Sequence, residues 1–145
     1  MSFREKSLWV MLAALLLAAF FYGHAVAYVN HEQFESVPWR AMTVQAPVVL
    51  LFHIAVVVLV VIIGLGHLLI VLFDRRTESD ERDRLIELKG ERVGGFVLAT
   101  GVFFSLWLAV ISSGNFAFTQ LLLGFWVLAQ ITDYAVQLWL HRRGY

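Results

Sequence analysis

The chain has 145 residues, 60% of them hydrophobic, a mean hydropathy of +0.76, and equal numbers of basic and acidic side chains. This leaves little room for a soluble domain beside the apolar segments, and it gives no net basic surface for nucleic acid. With no cysteine, disulfides, thiolate nucleophiles and cysteine-ligated zinc or iron–sulfur centres are excluded.

A first apolar run from Leu8 to Val29 is long enough to cross a hydrocarbon core, which takes about 20 helical residues. Its basic start and its small residues at Ala25 and Ala27 resemble a secretory signal. The run continues to Val29, however, so it is read as a retained span. Ala19, Gly23 and Ala27 recur every fourth residue and predict a smooth stripe for close helix packing. Residues 30–46 form a polar connection in which Phe34, Val37, Trp39 and Met42 alternate with Glu32, Glu35 and Arg40. There, Ser36 with Pro38 reads as the start of a short helix lying on the membrane surface, either a lid or a recognition element.

From Pro47 to Leu72 the chain carries no formal charge, which predicts a second span. The segment from Asp74 to Arg92 then packs six Lys or Arg with seven Asp or Glu. Thr77 and Asp80 have capping-box spacing, and Glu78 with Arg82 and Asp80 with Arg84 are acid-first i,i+4 pairs. A helix starting near Glu78 is therefore expected to run straight into a third span at 94–113. The break Ser112-Ser113-Gly114-Asn115 makes the fourth span, 116–140, its antiparallel neighbour. Ten of the eleven Lys and Arg side chains fall on the side of the termini and only Arg40 on the other. The expected fold is an all-α integral membrane four-helix bundle forming one domain over 1–145, multi-pass in the inner membrane, with both termini cytoplasmic and 30–46 periplasmic.

Ionisable groups inside a bilayer need a partner or a purpose, and His24, His53, His67 and Asp133 qualify. His24 lies five residues before the outer end of the first span and His53 six after the outer start of the second. Both therefore sit about 9 Å deep. Matched depth on antiparallel neighbours is what bis-histidine ligation of haem b requires. The alternative is a pair of neutral, hydrogen-bonded histidines. The fourteen-residue spacing of His53 and His67 resembles that on haem-bearing helices of the cytochrome b family, but no histidine matches the depth of His67. Asp133 sits near that depth and suggests an intramembrane pair with His67, either on a proton or ion path or in a structural polar cluster. Trp107 and Trp126 lie too deep for an interfacial belt and line a cleft or pack the core. Neither a phosphate-binding loop nor a nucleophile–base arrangement is present, so no catalytic residue is assigned.

The stretch Asp80-Glu81-Arg82-Asp83-Arg84-Leu85-Ile86-Glu87-Leu88-Lys89 resembles a family of small prokaryotic four-helix membrane proteins of unknown function. That family carries an Asp-Glu-Arg-Asp-x-x-Ile-x-x-Lys pattern before its third helix. The resemblance covers about thirty residues and implies a non-enzymatic regulatory or accessory role, since such proteins often accompany small transcription regulators. Asp80, Glu81, Arg82, Asp83, Ile86 and Lys89 are then the expected docking residues for a cytoplasmic protein or a second copy, with no direct nucleic-acid contact. Three roles follow from the sequence: a docking protein, a haem protein using His24 and His53, or a small proton-coupled or lipid-handling transporter using His67 and Asp133.

Overall fold

In a bilayer every backbone amide must be satisfied within its own segment, and long apolar runs answer this by forming helices. The computed structural model, which describes residues 3–73 and 81–143, contains five: α1 (Phe3–Val29), α2 (His31–Ser36), α3 (Ala46–Phe73), α4 (Glu81–Ile111) and α5 (Phe116–Arg143). All except α2 are long and apolar enough to cross a membrane, so the chain is an all-α, multi-pass membrane protein. The expected continuity between the charged segment and the third span is real, because α4 is one helix of 31 residues. The proposed cap at Thr77 and Asp80, and the pairs made by Glu78 and Asp80, lie outside the described residues.

The short helix differs from expectation. It ends at Ser36 instead of starting there, because Pro38 pushes Val37 into an extended conformation, φ −119° and ψ 132°. Asn30 joins α1 to α2: its Nδ2 donates to Val26 O at 2.8 Å, and its own carbonyl accepts from Phe34 N at 3.0 Å.

The four long helices pack in the order α3, α1, α5, α4, and among the described residues the consecutive helices α3 and α4 form no packed interface. α4 and α5 make the most extensive contact, because α4 turns a face of small residues to its neighbour. Gly90, Gly94, Gly101 and Ser105 are all buried there. A Cβ on Gly94 would stand 2.8 Å from the Ala129 carbonyl oxygen, and one on Gly101 would overlap Phe125. This is the close backbone approach that small residues permit between membrane helices.

At one end, the loop face, the connection after α2 is strapped to the α4–α5 turn. Gly114 N donates to Arg40 O at 2.8 Å, Phe116 N to Met42 O at 3.1 Å, and Val44 N to Asn115 Oδ1 at 2.7 Å. Beneath the strap, Val26, Met42, Val48 and Phe116 form a small buried core. At the other end, the terminal face, both ends of the described chain meet the start of α4.

Candidate functional site

α4 is about 46 Å long at 1.5 Å per residue, whereas a hydrocarbon core is about 30 Å thick. Its charges end at Arg92 and none follows from Val93 to Ile111, so the excess falls at the terminal face, where about the first eleven residues stand beyond the apolar layer. Here the face turned to α5 and α1 is pinned by specific contacts. Ile86 is 1% exposed, Asp83 Oδ1 lies 3.2 Å from His141 Nε2, and Arg4 pairs with Glu87 at 2.5 Å. The opposite face exposes Glu81, Arg82, Arg84, Leu85, Leu88, Glu91 and Arg92. Leu85 and Leu88 remain 58% and 53% exposed, although this part of the helix lies outside the lipid tails. The docking motif is thus divided. Glu81 and Arg82 face outward, Asp83 and Ile86 face inward, Lys89 is half-buried, and Asp80 lies outside the described residues.

His141 joins this platform to α5. Its Nδ1 lies 2.8 Å from Gln137 O and its Nε2 faces the Asp83 carboxylate. Removing a half-buried, charge-assisted contact of this kind costs about 1–2 kcal/mol. Asp83→Ala and His141→Ala are each expected to destabilise the fold by that amount, and the double variant by little more than either single one. Unfolding titrations of the full chain in mixed micelles measure this, with Glu81→Ala as the neutral reference.

The pair expected between His67 and Asp133 is not formed. His67 Nε2 lies 2.7 Å from the Ser7 hydroxyl and its Nδ1 3.0 Å from Ile63 O, so the ring links α1 to α3. Asp133 instead accepts from Gln137 Nε2 at 2.7 Å and lies against Gly90 and Gly94 of α4. The helix order puts α1 between the helices that carry these two groups and leaves each a different partner. Ser7, Arg4 and Glu87 carried no sequence signal of these roles, because a cross-helix partner depends on which helices are neighbours.

His24 and His53 are both exposed. His24 stacks on Phe20 at 6.5 Å, and His53 Nδ1 is 2.7 Å from Val49 O in its own helix. Matched depth is not accompanied by a shared space, since neither residue lines the cavity that opens between the helices. Among the described residues no cluster of three or more His, Asp or Glu side chains could hold a metal ion.

That cavity occupies the half of the molecule nearer the loop face. It measures about 1070 Å³ and is lined from α1, α3 and α5, with Phe34 of α2, Val44 of the strap and Leu98 of α4. Ala19, Gly23 and Ala27 line it, so the small-residue stripe of α1 faces open space, not a packed helix. Trp126 also lines it, while Trp107 borders a separate hollow of about 210 Å³ beside Phe104 and Phe125. No family model matches the chain, and neither the curated proteins nor the solved structures contain a significant match to it.

Proposed function

We propose that the protein is a non-enzymatic, multi-pass protein of the cytoplasmic membrane that serves as a regulatory or accessory partner, docking a cytoplasmic protein on the outward face of the α4 projection. The supporting observation is the exposure of Leu85 and Leu88 on a charged helix beyond the apolar layer, while the other face of the same turns is fixed to α1 and α5. A platform held in advance loses little freedom on binding. Glu81 and Arg92 flank the two leucines at helical spacing, so the apolar contact comes with charges of both signs, which fix register and reject mismatched partners.

A photoreactive amino acid at position 88 of the full-length protein in cells should form an adduct with one discrete protein. Arg82→Glu should reduce that adduct about tenfold, as the loss of one interfacial charge contact of about 1.4 kcal/mol does. The same probe at Phe96 should give none. Adducts with lipid alone, or a yield indifferent to Arg82→Glu, would defeat the docking role.

A further inference from the structure

The cavity near the loop face lies apart from the α4 platform, and the protein itself leaves it open. Gly23 and Gly124 both line it, and a Cβ on either would meet nothing within 4 Å. Packing therefore does not demand glycine at these positions, although glycine inside a helix is less favourable than alanine by about 0.5–1 kcal/mol. What the two glycines preserve is width.

The cavity follows α1 from Leu15 to Ala27, roughly 18 Å at 1.5 Å per residue. One leaflet, half of a 30 Å hydrocarbon core, is about 15 Å deep. Its walls are apolar except near Tyr22 and Gln120. The Tyr22 hydroxyl stands 3.2 Å from Gln120 Nε2 and 3.4 Å from its Oε1, a loose pair that leaves amide N–H capacity unused. Centred in the core, α1, with 27 residues and about 40 Å, extends about 5 Å beyond it at each end, so the hydrocarbon boundary lies below Val29 and residues near it, His24 included, sit shallower than a count from Val29 gives. Seven residues below Val29, Tyr22 therefore lies within about 5 Å of the hydrocarbon boundary, near the level at which acyl chains join their ester carbonyls. Above it, the strap, which reaches the cavity at Val44, also carries Arg40, the one Lys or Arg among the described residues of the loop face, exposed and stacked on Trp39 at 5.0 Å. Such aromatic and basic side chains sit at headgroup level.

From this match of length, hydrogen-bond donors and charge we infer that the cavity is a binding site for one diacyl phospholipid of the leaflet at the loop face. Its acyl chains lie along α1, α3 and α5, an ester carbonyl accepts from Tyr22 or Gln120, and its phosphate meets Arg40. Filling the space should abolish binding without disturbing the helices.

The test is native mass spectrometry of the full chain extracted in mild detergent and titrated with a diacyl phosphatidylethanolamine. The wild type should retain one phospholipid per chain. Gly124→Leu should retain none, while Gly95→Leu, at another glycine with nothing within 4 Å but outside the cavity, should match the wild type. Tyr22→Phe with Gln120→Leu, and separately Arg40→Gln, should each weaken retention about tenfold, the effect of one lost polar contact. Helical circular dichroism equal to wild type shows that each variant is folded. Equal retention by wild type and Gly124→Leu overturns the inference. So does preferential retention of a prenylquinone over the phospholipid, or a dimer whose formation Gly124→Leu abolishes.

Discussion

Gly101→Ala should destabilise the protein by about 1–3 kcal/mol, the usual cost of forcing extra volume into a packed contact, whereas Gly95→Ala should stabilise it by about 0.5–1 kcal/mol. The two residues share a helix, and the change is the same single methyl group. By helix propensity alone, both substitutions should be favourable. They differ in what the methyl group meets: nothing within 4 Å at Gly95, but Phe125 Cβ and Cγ at Gly101. Phe125 Cβ is fixed by its backbone, so α4 and α5 must move apart, and the most extensive helix contact of the protein loosens along its length. Equilibrium unfolding of both variants in mixed micelles, followed by circular dichroism, checks the opposite signs. Equal signs would mean that the α4–α5 distance is not set by these glycines.

Ile86→Ala should cost about 2–4 kcal/mol, as truncation of a buried isoleucine does. Leu88→Ala, two residues away, should change stability by less than about 0.5 kcal/mol. Ile86 is 1% exposed on the face that Gly90 and Gly94 turn to α5, whereas Leu88 is 53% exposed. Under the docking role proposed for this segment, the effects reverse in the crosslinking assay. With the photoreactive amino acid moved to the equally exposed position 85, Leu88→Ala loses the partner with its fold intact, and Ile86→Ala loses it only as far as it unfolds. Measuring stability and crosslinking on the same two variants separates a fold residue from a recognition residue within a single turn of helix.

The four spans were legible because an uncharged apolar run of twenty or so residues has no stable place in water, and a helix is its simplest form in lipid. The continuity of α4 was legible because no helix breaker stands between Glu81 and Gly90. Ser36 and Pro38 misled because proline follows helices as readily as it opens them; only the extended backbone of Val37 shows which applies. The depth of His24 and His53 can be counted along the chain, but the direction in which each ring points cannot. In the same way, the spacing of Ala19, Gly23 and Ala27 is visible in the residues, whereas the empty space opposite them is not. Cross-helix pairs such as Ser7 with His67 or Arg4 with Glu87 depend on the order of the helices, which no local pattern encodes. The small-residue pattern of Gly90, Gly94, Gly101 and Ser105 was the overlooked signal, since its spacing alone marks the face on which α5 packs.

That α3 and α4 share no packed interface among the described residues bears on how the molecule is made. α1 with α3 and α4 with α5 are two antiparallel pairs, each completed by partners close in sequence. The α1–α3 pair can enter the bilayer and consolidate during synthesis before the α4–α5 pair exists. Final assembly then reduces to docking α1 against α5 and fastening the strap at the loop face, a late step between preformed halves.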